Sequence, residues 1–410
     1  MGRFDRRESP LSVRYEPVSV KDLLVEMKDT AELLIDLSYS AVLHASPTIA
    51  NEVVELEHRM DVLQLRARMS LMLAARSPDE AERLAPVLGV IGAADKISDA
   101  AGDIAKIVSE EIGLPDAMRG ALAEGVETLV RGTVASGSDY AGRSLAETQV
   151  AVGASLIDLE SETGVRVIAI RRDDDWVFNP GPNTRLEAGD VTLLRGPETG
   201  VSEAYPELAG EPYDPEEPEE PAIDDLERAV DSIVLMKDLS ELAVDLAYGS
   251  VLFDNEALAE EVRNLEIEVD ALQSRFEAWT LRAAREADDP VSLRGLIHLG
   301  VATEEISDAA VKITEGVTHD LGVHRVVEMA VQESDEIITR TVVQEGSALA
   351  GTHVRNGIPT TDVSTSVIAI RRPDEGWLIG HDIDTVLRPG DAVIAKGTRT
   401  SAEEFEALAS

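Results

Sequence analysis

Apolar residues recur every three or four positions from Val18 to about Gly113, the spacing of one buried helix face. In KDLLVEMKDTAELLIDLSYSAVL that face is Leu23, Leu24, Met27, Ala31, Leu34, Ile35, Ser38 and Val42. Ser46-Pro47 stops this helix and starts a second, TIANEVVELEHRMDVLQLRARMSLMLAAR. A third opens with cap chemistry: Ser77 at the N-cap, Pro78 at the first helical position, and Glu80 three residues on. Pro86 predicts a kink or break in that helix, because proline lacks the amide donor. The three make an antiparallel bundle, followed by a short helix near Pro115–Arg131.

The pattern then shortens to that of strands. VRVIAIRR is a β-branched strand, DDD a turn and WVF a second strand. Asn179-Pro180-Gly181-Pro182 is a loop, and Glu187-Ala188-Gly189-Asp190 a tight turn before the strand VTLLRG. Residues 210–225, GEPYDPEEPEEPAIDD, are acidic and proline-rich without periodicity, which predicts a semi-extended linker.

Everything then happens again. ISDAA occurs at Ile97–Ala101 and Ile306–Ala310, and VIAIRR at Val167–Arg172 and Val367–Arg372, in the same order. DLSYSAVL returns as DLAYGSVL, and LEAGD (Leu186–Asp190) as LRPGD (Leu387–Asp391). The second copy is shorter in the loop around Val150–Thr163. The fold class is therefore α+β, an internal duplication of a three-helix bundle plus a small β-rich domain. The expected divisions are an irregular tail 1–17, a bundle 18–131, a β domain 132–203, a linker 204–224, a second bundle 225–340 and a second β domain 341–410. A tandem of this kind carries its own pseudo-twofold partner, and paired units commonly build a site at their shared interface.

Charge narrows the function. Lys+Arg is 37 against Asp+Glu 79, a formal net charge of −42 in 410 residues. That argues against nucleic acid, whose phosphates need basic surface, and against peripheral binding to anionic lipid. The acids are spread over both halves, as on the solvated surface of a protein from a high-salt cytoplasm, where a Debye length of about 3 Å screens self-repulsion. Partial unfolding or dissociation at low salt is expected, and a thermal melt insensitive to salt would refute it. Cysteine is absent, which removes disulfides and thiolate chemistry. No apolar run approaches the roughly 20 residues of a membrane span, and MGRFDRRESP lacks a signal core, so a cytoplasmic location is expected. No GxGxxG follows a strand, and the histidines have no HxxxH or HExxH spacing.

Two constellations remain. Acidic pairs one helical turn apart stand at Glu57/Asp61 and Asp95/Asp99, and again at Glu266/Asp270 and Glu304/Asp308. Like charges so placed cost a helix a few tenths of a kcal/mol, and two such faces together make a carboxylate cluster of the kind that holds hard divalent cations in bundles. In a chain this acidic, such pairs also arise by composition alone. The second constellation is the arginine pair that ends each VIAIRR, which either meets an anionic ligand or solvates a strand end.

ADKISDAAGDIAKI and TEEISDAAVKITEG resemble the motif of the PhoU family, and EHRMD and EIEVD its partner carboxylate motif. That resemblance implies three-helix tandems that regulate membrane transporters, with Glu57, Asp61, Asp95, Asp99, Glu266, Asp270, Glu304 and Asp308 as ligands of a divalent metal. The family's Gly-Asp-His is Ser-Asp-Ala here, so its histidine is absent. AGRSLAETQV, VRVIAIRR and LEAGDVTLLRG, with AGTHVRNG, VIAIRR and LRPGDAVIAKG, are similar to the C-terminal domain of the TrkA/RCK regulators of K⁺ transport, and the tandem resembles such regulators of the haloarchaeal type. That family dimerises and binds small ligands, cyclic di-AMP among them. The matching positions are Val167, Ile168, Arg171, Arg172, Asn179 and Pro180, then Val367, Ile368, Arg371 and Arg372; the Asn-Pro loop is Gly380-His381 in the second copy.

These readings imply a non-enzymatic cytoplasmic subunit, a homodimer as one assembly, that senses cyclic di-AMP or another nucleotide and regulates a membrane cation transporter or channel, K⁺ foremost. A regulator of phosphate transport is the rival within the binding class. A metal-dependent hydrolase is the rival outside it, disfavoured because no base or nucleophile stands beside the acids.

Overall fold

The computed structural model describes residues 19–115, 128–148, 151–152, 165–172, 175–178, 180–181, 183–196, 198–213, 223–252, 255–319, 325–333, 337–355, 358–359, 365–372, 376–379, 384–397 and 399–409. Three helices open it: α1 (Val20–Leu43), α2 (Pro47–Ala74) and α3 (Pro78–Ser109). The Ser46 and Ser77 hydroxyls accept the N–H groups of Ile49 and Glu80, and each cap is followed by proline. The Glu80 carboxylate accepts the Arg76 N–H at 2.8 Å, closing the turn between α2 and α3.

Pro86 does not break α3, which runs through it. Its ring instead seats on Gly316 of the other copy, where a Cβ would come within 2.8 Å, so the glycine is what lets the helices approach.

The first β domain contains β1 (Thr128–Thr133), β2 (Ala151–Val152), β3 (Arg166–Arg172), β4 (Asp175–Phe178) and β5 (Val191–Gly196) in the order β1-β5-β3-β2, with β4 pairing β3. Helix α4 (Glu198–Ala209) follows. Two boundaries move. Thr128–Arg131 is strand rather than helix, because Leu129 and Val130 pair with β5 and bury; residues 116–127 lie outside the described residues. Residues 204–209 are helix rather than linker, because Ala204 and Leu208 seal the domain core. The acidic stretch 214–222 lies outside the described residues.

The second copy repeats the plan with α5 (Asp224–Leu252), α6 (Glu256–Glu286), α7 (Arg294–Thr318) and α8 (Arg325–Glu333). Its β domain has β6 (Ile337–Val342), β7 (His353–Arg355), β8 (Ile358–Pro359), β9 (Thr365–Arg372), β10 (Gly376–Ile379), β11 (Thr385–Val386) and β12 (Ala392–Gly397), then α9 (Arg399–Ala409). The main sheet runs β10-β9-β12-β6, matching the first domain, and residues 337–340 belong to it rather than to the bundle.

The copies join helix to helix. Gly295 N–H donates to the Gly113 carbonyl at 2.8 Å, while Pro86 faces Gly316. So α3 and α7 lie antiparallel and cross near their middles, where both ISDAA words sit. Beside that crossing, Lys28 Nζ lies 5.2 Å above the Tyr248 ring and Lys237 Nζ 5.4 Å above the Tyr39 ring, a reciprocal pair of cation–π contacts. Each buried lysine also pairs with an acid one turn on, Glu32 at 2.7 Å and Glu241 at 2.8 Å.

Both main sheets dock on the bundles. Leu129, Ala169 and Leu193 from one, and Ile338, Ala369 and Ile394 from the other, belong to the same continuous core as the helices. Each β domain keeps a separate core on its opposite face. Among the described residues no helix is long and apolar enough to cross a membrane.

Candidate functional site

The repeated VIAIRR is a strand with a bulge in it. Pairing of β3 with β5 shifts register between Val167 and Ala169, and β12 shifts against β9 between Ile394 and Ala395. A bulge puts two successive residues on one face. Val167 and Ile170 therefore point into the β-domain core, while Ile168 and Ala169 meet the helical core. Val367, Ile370, Ile368 and Ala369 divide the same way.

The arginines continue the alternation. Arg171 turns to the bundle: its Nη2 donates to Glu52 Oε1 at 2.6 Å, and Arg131 Nε reaches the same oxygen at 3.1 Å. Glu52 is only 3% exposed, and Glu55 stands 3.9 Å from Arg171. Arg172 turns inward and donates twice to Asp190, at 2.8 and 2.7 Å, and to the Arg185 carbonyl at 2.7 Å. Arg372 repeats this on Asp391 at 3.0 and 2.9 Å and on the Val386 carbonyl at 3.1 Å. The same aspartates accept the N–H groups of Glu187 and Arg388, so each arginine pins its tight turn to the strand. Arg371 is exposed. Pro180 is buried, whereas Asn179 and the Gly380-His381 loop lie outside the described residues.

Further polar ties hold the sheets to the helices. Arg195 Nη1 donates to Asp36 at 2.7 Å, and Lys396 lies 3.6 Å from Asp245. Burial pushes the Asp36 carboxyl above its ordinary range, opposed by the charges of Arg195, Lys396 and Lys237. Ser40 Oγ donates to the Leu129 carbonyl at 2.6 Å, and burial pulls nearby His44 below its usual value. Nothing in the spacing of Glu52, Asp36 and Ser40 marks them in the sequence. Asp190 and Asp391 carried a signal in the repeated LEAGD and LRPGD, which spacing alone assigns to a turn.

The acidic pairs face each other within each bundle. Burial, then the Asp99 charge, raises Asp95 to about 6; burial also raises Glu57 and Asp99, whose neighbours include each other and Asp61. In the second copy burial and Asp308 raise Glu304 to about 7, and Glu266 is raised by burial, Asp270 and Asp308. The protein's own donors serve these carboxylates. Gln64 donates to Asp95, Lys106 donates to Asp103 and feels Glu57, and Lys96 crosses from the first copy to Asp308 at 2.7 Å. Among the described residues no three acidic or imidazole side chains converge as a metal site requires. As arranged, the eight residues make two acidic patches with internal counter-charges, a set that does not fit a coordination sphere.

The TrkA-C domain model matches residues 129–209 and 338–410, and the PhoU domain model residues 24–108 and 233–317. Among solved structures, PhoU from Pseudomonas aeruginosa is 11% identical over 76% of this chain and 93% of its own, with a TM-score of 0.38. The GsuK channel is 15% identical over 70% of this chain, with a TM-score of 0.19; the chain spans about half (53%) of the channel's length. The GsuK RCK domain is 15% identical over 80% of this chain and 78% of its own, with a TM-score of 0.17. No curated protein matches the chain.

Proposed function

Because this chain carries a PhoU domain followed by a TrkA-C domain twice over, and so is a regulatory protein of ion transport or phosphate regulation, we propose that it is a non-enzymatic subunit that reads a small anionic ligand and sets the activity of a membrane cation transporter, K⁺ foremost. The observation that carries this reading is the Arg171–Glu52 contact at the seam between sheet and bundle. A ligand carrying phosphates, cyclic di-AMP being the leading candidate, competes with Glu52 for that guanidinium. Ligand binding then removes one tie between the first TrkA-C domain and α2. A ligand shifts such an equilibrium only by its differential affinity for the two arrangements, and a guanidinium taken from one acid to another supplies it. The bundle transmits the shift, since sheet and helices share one core. Homodimerisation places two such chains on one transporter.

Calorimetry in molar KCl with cyclic di-AMP tests this, with inorganic phosphate and divalent cations titrated alongside. Saturable binding that Arg171→Ala weakens at least tenfold is expected. Binding of phosphate alone moves the reading to a phosphate regulator. Phosphodiesterase turnover abolished by Asp99→Ala and Asp308→Ala makes the chain a hydrolase and overturns it.

A further inference from the structure

Between Asp61 and Asp79 the chain contains no acidic residue, although acids are 79 of its 410 residues. That stretch is the second half of α2 and the turn after it. It carries Arg66, Arg68 and Arg76, and its outer side exposes Leu65 (45%), Met72 (69%) and Leu73 (61%). Arg68 and Arg76 are exposed with them. Leu88, also exposed, lies on the same hairpin, and Glu80 and Glu82 bound the patch where α3 begins.

The second copy is an internal control. Leu281 stands at the position of Met72 and is equally exposed, but Glu277 replaces Arg68, and Glu286, Asp288 and Asp289 follow. Apolar exposure is thus common to both hairpin ends. A run without acidic residues belongs to one, and of its arginines Arg68 also lies near enough to Asp95 of α3 to act on its charge. We propose that this end of α2 is an interaction surface for an anionic bilayer, with the arginines at the headgroups and Met72 and Leu73 beneath them. The chemistry is that of a basic, apolar-edged helix at a membrane surface. Net charge excludes broad electrostatic adhesion, but screening at high ionic strength confines the interaction to what the bilayer touches, and that is this patch. Arginine together with leucine and methionine also suits a protein partner, which the test separates.

The experiment is co-sedimentation of the full chain with phosphatidylglycerol vesicles and with neutral phosphatidylcholine vesicles, in dilute and in molar KCl, with circular dichroism to verify folding. Binding to the anionic vesicles should exceed binding to the neutral ones severalfold, and Arg68→Glu with Met72→Ser and Leu73→Ser should lower it at least tenfold. Glu at that position is already tolerated in the second copy, so the fold is expected to survive; Arg76→Ser alone, on an exposed side chain, should weaken binding by a smaller factor. Leu281→Ser with Arg285→Ser should leave it unchanged. No sedimentation with anionic vesicles overturns the proposal. So does equal loss from the second-copy variant, or light scattering that shows the first variant converting a dimer to a monomer, which would make the patch an interface between copies.

Discussion

The two TrkA-C domains sit on the same kind of surface but are held to it differently. In both, three buried apolar side chains of the sheet enter the helical core, with Ile168 or Ile368 packed beside them. In the first, polar contacts are added: Ser40 to the Leu129 carbonyl at 2.6 Å, and Arg171 and Arg131 to the buried Glu52. In the second, glycine stands in the place of Ser40, Arg340 and Arg371 are exposed, and Glu261, at the position of Glu52, is half-buried. Even the shared ion pair is looser, 3.6 Å for Lys396–Asp245 against 2.7 Å for Arg195–Asp36. Duplication therefore preserved the apolar attachment, whereas the Ser40 contact and the burial of the acid at the seam are particular to the first copy. Apolar contact fixes that the domains dock; polar contact fixes how firmly each is latched.

The sharpest way to break this comparison is to remove the acid at each seam. Glu52→Ala leaves two half-buried guanidinium groups facing each other and should cost on the order of 3 kcal/mol. Glu261→Ala should stay within about 0.5 kcal/mol. Chemical denaturation gives the totals, and hydrogen exchange in β1 and β3 against β6 and β9 locates them. Equal costs at the two sites would show that burial of the acid does not set how firmly each seam is held.

Next in size, and opposite in direction, is the turn clamp inside each β domain. Here the second copy is the tighter, since the Arg372 side chain is 6% exposed and that of Arg172 39%. Arg372→Ala strands a buried Asp391 and should cost about 3 kcal/mol. Arg172→Ala should cost about 1 to 2 kcal/mol, because water reaches its place beside Asp190. The reverse order would mean that exposure does not govern the clamp.

How these residues divide explains what could be read from the chain beforehand. Helices, strands and duplication were legible because they rest on periodicity and on repeated words: the Leu23-to-Val42 face, the Ser77-Pro78 cap and both VIAIRR strands all stand where the pattern puts them. The bulge inside VIAIRR was not legible, because it depends on the register of the partner strand, and with it went the knowledge of which arginine faces the helices. The short strand at Thr128–Thr133 overlaps the end of the helix that the sequence predicts, since six residues are too few to show a period and pairing with β5 decides them. Glu52 and Asp36 were invisible for a different reason. In a chain with this many acids, the one that is buried is identified only by what packs over it.

A smaller contrast lies on the pseudo-twofold axis. Thr303 Oγ1 donates to the Leu299 carbonyl at 2.7 Å, so the 2.8 Å contact between it and Tyr39 has the tyrosine as donor. Tyr248 is the matching residue, but Ala94 occupies the place of Thr303, and the buried Tyr248 hydroxyl has no hydrogen-bond partner among the described residues. Tyr39→Phe should therefore cost about 1 kcal/mol, whereas Tyr248→Phe should be neutral or gain up to about 1 kcal/mol. Denaturation midpoints that fall equally for both would show that the axis is symmetric after all.

The smallest effect, and the one that compares the acidic patches, is on pH. Glu304 keeps its proton up to about 7 in the folded protein, against 4.5 for an unperturbed glutamate, first because it is buried and then because Asp308 is beside it. Folding therefore takes up a proton between those values, and linkage makes stability fall as pH rises through that window. Asp95, raised to about 6, acts in the same direction over a lower window. Both carboxyls are partly open to solvent, which shrinks the effect below what a fully buried acid would give. Melting in molar KCl at about pH 5 and about pH 8 should show the higher midpoint at the lower pH. Glu304→Gln should remove more of that difference than Asp95→Asn. Lys96→Ala should enlarge it, because the lysine's charge is what restrains Glu304 from rising further. If stability instead rises with pH across that range, or the slope survives both amide substitutions, the proton uptake lies elsewhere and the two patches are equivalent.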